Sequence, residues 1–174
     1  MSIVDLIDDR VARRMLFPLL PRAPGAKANR AMFVAEKLWE LLSSPEGNEE
    51  WEKRVGELQA DLERFVDGQV ISPKYLFLLY PAHKGVWEIR SVADAPSIRV
   101  LGLFAGKDVF IATNHALREE LGGWQSRAWK EVKRMAGAVW RWLFHPYQPL
   151  VSIDVKELVS GALDGKYFKD RAAS

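Results

Sequence analysis

The sequence predicts an α+β domain: a helical hairpin packed on a small antiparallel meander sheet, with further helices at both ends. Three observations carry this. Residues 85–113 break into three short strand-like runs separated by turn residues. Two helical periodicities precede them and a strong one follows. Of the 174 residues, 48% are hydrophobic, which is enough to cover apolar strands on at least one face.

Residues 2–17 carry apolar side chains at 3, 6, 7, 11 and 15, the spacing of an amphipathic helix. Pro18 and Pro21 end it, and Pro21 to Gly25 reads as a linker. The next helix is expected from about Asn29 to Ser43, with Met32, Ala35, Leu38, Trp39 and Leu42 as its buried stripe. A short turn, Ser44 to Asn48, leads to a helix from about Glu49 to Val66. There Trp51, Val55, Leu58, Leu62 and Phe65 recur at four, three, four and three. So short a connection implies a helical hairpin. Lys74 to Tyr80 fits either a buried strand or a short helix, and its length and aromatic content lean to the strand.

The meander follows. In Val86 to Arg90, alternation puts Trp87 and Ile89 on one face and Glu88 and Arg90 on the other. Ser97 to Phe104 sets Arg99 among hydrophobic neighbours, and Asp108 to Ala112 is almost wholly apolar. Asp94-Ala95-Pro96 and Ala105-Gly106-Lys107 are the turn signals, with Asp108 itself a turn residue. Thr113 or Asn114 is placed to cap a short helix, Ala116 to Leu121. A longer helix spans about Ser126 to Phe144, with Trp129, Val132, Ala136, Val139, Trp140 and Leu143 inward and Arg127, Lys130, Lys133, Arg134 and Arg141 outward. Asp154 and Glu157 have capping-box spacing for a last short helix, and from Asp164 a loose tail is expected. The expected division is an N-terminal helix and linker (1–25), a core (26–123) and a C-terminal helical extension (124–174).

Composition narrows the function classes. A net charge of +2 with a pI near 8.9 describes a mildly basic chain. The absence of cysteine excludes a disulfide framework and thiolate metal sites, and fits a reducing, cytoplasmic location. The charged N-terminus is unlike a signal peptide, and no apolar run has membrane-spanning length, so no membrane partner is expected. No ligand cluster has metal spacing and no glycine-rich phosphate loop follows a strand, so neither metal nor cofactor is expected.

The order of helical hairpin, Gly85-Val86-Trp87-Glu88-Ile89-Arg90, Ile98-Arg99-Val100 and a third apolar strand resembles the RelE/HigB-like toxin superfamily, in particular its phage-derived HigB-type branch. The likeness covers roughly residues 30–121. It implies a RelE-like fold and the toxin of a toxin–antitoxin pair, a metal-independent endoribonuclease acting on mRNA, often at the ribosome. In that family the ribose 2′-hydroxyl attacks the adjacent phosphate. Such chemistry needs cations where charge builds, a proton acceptor and a proton donor.

On this chain Arg90 and Arg99 match the arginines of the two family motifs, and Arg99 is the better placed phosphate clamp. The lysine pair usual after the third strand is missing; the segment is Ile111 to His115, with His115 a substitute acid or base. Lys84, Lys107, Arg127 and Lys130 are the candidate RNA contacts. Antitoxin, mRNA or ribosome are the implied partners, and a homodimer is compatible with the N-terminal helix.

A second reading is a non-catalytic RelE-like domain that binds a protein or RNA. Arg90 and Arg99 then pair with Glu88, Asp94 or a helix carboxylate, His115 simply starts a helix, and His83 and His145 are exposed beside turn prolines. The two readings differ on whether Arg99 and His115 share one concave basic surface.

Overall fold

In the computed structural model the described residues are 1–91 and 96–169, and they form five α-helices and a six-stranded mixed sheet. The strands are β1 (Leu16–Pro18), β2 (Ala31–Ala35), β3 (Leu76–Leu78), β4 (Trp87–Arg90), β5 (Ile98–Gly106) and β6 (Val109–Leu117). Their spatial order is β1-β2-β6-β5-β4-β3. The helices are α1 (Ile3–Ala12), α2 (Glu36–Ser43), α3 (Glu49–Val66), α4 (Arg118–Leu121) and α5 (Arg127–Phe144). No helix among the described residues is long and apolar enough to cross a membrane.

β3 to β6 form an antiparallel meander, with Trp87 opposite Gly102 and Leu103 opposite Ile111. The alternation read from the sequence holds in β4: Trp87 and Ile89 enter the core beneath α2 and α3. That core joins Leu38 and Leu42 of α2 and Leu58, Leu62 and Phe65 of α3 to Val100, Phe104 and Phe110 of the sheet. Phe104 is its hub, edge-on to Trp87 at 5.9 Å and to Phe110 at 5.1 Å between ring centroids. The opposite sheet face buries Leu101, Leu103 and Ile111 under α1 and α5, through Leu6, Ile7, Ala136, Trp140 and Leu143.

Several sequence expectations are corrected. The helix expected from Asn29 is a strand, β2, followed by the shorter α2. Met32 and Val34 point into one core and Phe33 packs against the other, so the run is apolar at every position. Such a doubly covered strand lacks a period of two. β2 also makes the sheet mixed, because it runs parallel to β6. The N-terminal helix stops at Ala12. Arg14 turns the chain with φ of 59°, and β1 then pairs with β2 at the sheet edge, where Pro18 is tolerated. The third meander strand runs on through His115 to Leu117, which leaves α4 only four residues.

The tail expected to be loose is packed as far as it is described. In it the buried Tyr167 donates its hydroxyl to the carbonyls of Ile71 and Leu163, and ahead of it Val155, Leu158 and Val159 enter the first core. Phe168 bridges to Leu78 at the open edge of β3. Asp94 and Ala95 of the expected first turn, and residues 170–174, lie outside the described residues.

Gly102 is required by the meander. It stands at a register shift, and a Cβ there would lie 2.3 Å from the Ile111 carbonyl oxygen and 2.4 Å from the Phe110 ring. Gly56, on the exposed side of α3, has nothing within 4 Å of the same position. Gly102→Ala is expected to lower stability by about 1–3 kcal/mol. Gly56→Ala is expected to raise it by about 0.5–1 kcal/mol by removing backbone freedom from a helix interior. Urea midpoints at unchanged slope measure both, and a Gly102→Ala protein as stable as wild type would show that β5 and β6 can separate there at no cost.

Candidate functional site

The charged side chains on the two faces of the sheet decide what the sequence-predicted site residues can do. β4 and β5 present Glu88, Arg90 and Arg99 on the α5 side, with Glu88 opposite Leu101 and Arg90 opposite Arg99. The Glu88 carboxylate, only 4% exposed, accepts from Arg90 Nε at 2.7 Å and has Arg99 Nε 3.8 Å from its other oxygen. Arg90 also lies over the Phe77 ring at 4.2 Å and donates to the Pro73 carbonyl. Burial pulls the Arg99 guanidinium below its usual range, and Glu88 opposes that shift. Two guanidinium groups sharing one buried carboxylate keep their Nε edges turned inward. The arrangement is an ion-pair cluster that lets two adjacent buried strands carry three charges.

His115 stands apart from that cluster. In the β5–β6 register Val100 faces His115 and Arg99 faces Ala116. Neighbours along a strand point to opposite faces, so His115 lies on the α3 side with Val100, and Arg99 lies on the α5 side. The structure does not bring Arg99 and His115 onto one surface. His115 is half-buried within a strand, where the sequence reading had a helix start.

A different set of cations does converge. A cleft of about 670 Å³ opens between α5 and the connection from β3 to β4. Residues 130, 133, 134, 137, 140 and 141 of α5 line one wall, a stripe set by the three-and-four spacing of a helix. Leu79, Tyr80, Pro81, His83, Lys84 and Val86 line the other, with Leu103 from β5. Ser126 caps the start of α5 by accepting from the Trp129 amide at 3.1 Å, and Trp129, Ala136, Trp140 and Leu143 anchor its inner face. The cation row is thereby held on a fixed helix. Lys133 reaches across and donates Nζ to the Tyr80 carbonyl.

Both walls of the cleft carry cations. Lys84, Lys130, Lys133, Arg134 and Arg141 line it, and no Asp or Glu among the described residues does. Arg134 pairs with Glu131 of its own helix, whereas Lys84, Lys130, Lys133 and Arg141 have no carboxylate partner among the described residues. Burial, and then the neighbouring charge of Lys130, hold the Lys133 ammonium below its usual range. Crowded ammonium and guanidinium groups of this kind are arranged to meet an anion.

Of the candidate RNA contacts, Lys84 and Lys130 line the cleft. Lys107 sits in the β5–β6 turn and Arg127 at the exposed start of α5, and neither lines it. Lys133, Arg134 and Arg141 also line the cleft; the sequence placed them on the basic outer face of this helix, a face able to track an RNA backbone, without naming them as contacts. The spacing of 130, 133, 134 and 141 on one helical stripe was the available signal. Glycine at 137, within that stripe, was the sign that a face dips. Among the described residues no group of three or more His, Asp or Glu is placed to hold a metal ion.

The chain matches no family model, no curated protein and no solved structure.

Burial alone lowers the His115 imidazole from its ordinary value of 6.5. The unfolded chain therefore takes up a proton at this position before the folded one does. Stability from His115 is present above about pH 6.5 and is lost as the pH falls toward the lowered value. A His115→Gln protein is expected to lose less stability than wild type between about pH 7 and about pH 5, read from urea midpoints across that range. Parallel curves for the two proteins would mean that the imidazole titrates equally folded and unfolded.

Proposed function

We propose that this chain is a RelE/HigB-like domain that binds RNA through the cationic cleft, and that Arg90 and Arg99 serve its fold rather than RNA cleavage. The observation that carries the reading is the row of cations lining the cleft with no carboxylate on its walls. A phosphate backbone is the partner that such a row fits, since each phosphate displaces counterions and takes one charge-assisted contact. The sequence order behind the resemblance also stands in the fold: α2 and α3, then β4 with WEIR, β5 with IRV, and the apolar β6.

The endoribonuclease reading keeps one specific support, that Arg90 and Arg99 lie on the same sheet face as the cleft-lining Val86 and Leu103. A toxin nuclease would use the cleft to hold mRNA, with an antitoxin as its protein partner.

Fluorescence anisotropy with a labelled single-stranded RNA across a potassium chloride series separates these. Lys130→Ala and Arg141→Ala are each expected to weaken binding about tenfold and to lower the salt slope by about one. Lys107→Ala and Arg127→Ala are expected to change little, and the RNA is expected to be recovered intact. Absence of binding at low salt, or equal losses from Lys107→Ala, would overturn the cleft as the RNA site. Cleaved RNA from wild type and intact RNA from Arg99→Ala would establish the nuclease instead.

A further inference from the structure

We propose that the cleft holds a 5′-polyphosphorylated nucleoside, either free or as the 5′ end of an RNA chain. The proposal rests on the cleft being the RNA site argued above, and narrows what that site holds. Charge density is the first argument. Of the four cations without a carboxylate partner, Lys130, Lys133 and Arg141 lie on α5 over a rise of about 16 Å along the helix axis, and Lys84 meets them from the opposite wall. An internal nucleotide brings about one negative charge. A terminal phosphate carries about two, and each further phosphate in a polyphosphate chain adds to that. A cleft of about 670 Å³ is the size of a small-molecule site, and within it an internal stretch of RNA sets only about one charge per nucleotide against these cations. A polyphosphate matches them, and the guanidinium of Arg141 offers a fork to two of its oxygens.

The walls supply the second argument. Phosphate alone has no use for the apolar surface that Val86, Leu103, Pro149 and Val151 give the cleft, whereas a nucleoside does. Tyr80 stands at this wall, held edge-on by Trp124 at 5.7 Å. Gln125 and Gln148 add side-chain amides, each with a donor and an acceptor for a base or sugar edge.

Gly137 is the third. It lies mid-helix, where glycine weakens a helix relative to alanine. A Cβ there would approach only the Arg141 guanidinium, at 3.3 Å, so any longer side chain enters the cleft. Glycine at this position keeps the space open between Lys133 and Arg141.

The test compares two RNAs of one sequence, about ten nucleotides long, with a 5′-triphosphate or a 5′-hydroxyl, by anisotropy with the full chain. The triphosphate RNA is expected to bind at least about tenfold tighter. Gly137→Leu and Arg141→Ala are each expected to abolish that difference. Circular dichroism should show Gly137→Leu folded, and Arg141→Ala carries the test if it is not. Competition by free GTP or ATP would support the proposal with a free nucleotide as the source. Preference for the triphosphate end without such competition would support it with the RNA end as the source. Inorganic tripolyphosphate competing as well as GTP would overturn the nucleoside. Equal binding of the two RNAs would overturn the proposal and leave the RNA reading standing, and no binding of either would overturn both.

Discussion

The Arg30 guanidinium is 5% exposed and donates to the carbonyls of Phe65, Gln69 and Ser160. Phe65 lies in the last turn of α3, where helix carbonyls lack intrahelical partners and the dipole favours a cation. Ser160 belongs to the C-terminal segment, whose amide and hydroxyl bond the two oxygens of Asp108 at 2.7 and 2.6 Å. Asp108 lies 3.7 Å from Arg30 Nε and donates its own amide to Leu158. One buried cation and one turn carboxylate therefore tie together the start of β2, the end of α3, the β5–β6 turn and the segment after α5. The Arg30 charge is also set over the Phe65 ring at 5.2 Å. The backbone amides of Asn29 and Arg30 add to this clasp by donating to the Val66 carbonyl at the end of the helix that covers β2.

The clasp also shows why part of the fold was legible and part was not. The meander announced itself because each of its strands is bounded by glycine, proline or aspartate, and because Glu88 and Arg90 break the apolar run in β4. The hairpin helix α3 was equally plain, since its apolar residues recur at four and three over eighteen residues. β2 was not, because burial on both faces erases alternation and Asn29 to Ser43 then scans as one helix. Arg30 fell inside that expected helix, and Asp108 read as an ordinary turn residue. Their meaning is a contact across 78 positions of sequence, which no local pattern encodes.

The site divides in the same way. Arg90 and Arg99 were found by motif, and the β4–β5 register, which sets them opposite each other, puts both on one sheet face. Their pairing with Glu88 was among the readings the sequence left open, and alternation along β4 already put Glu88 and Arg90 side by side. His115 was misplaced because the length of β6 was misjudged by five residues, and in a strand one residue decides the face. The cleft cations were visible as a basic helix. That they line a concavity depends on the wall from Tyr80 to Val86, which approaches α5 only in the folded chain.

The parallel pairing of β2 with β6 has a consequence for synthesis on the ribosome. Ala31 finds its partner Val109 only after 78 further residues, and the Arg30 donors are completed only when Ser160 has emerged. Until then the nascent chain holds a hairpin of helices whose apolar stripes have no sheet to cover. Long-range closure of this kind slows folding and leaves hydrophobic surface open meanwhile. The native fold is thus a late event in translation, and a chain cut short before the C-terminal segment lacks both its last core residues and the carbonyl that completes the buried arginine's bonds.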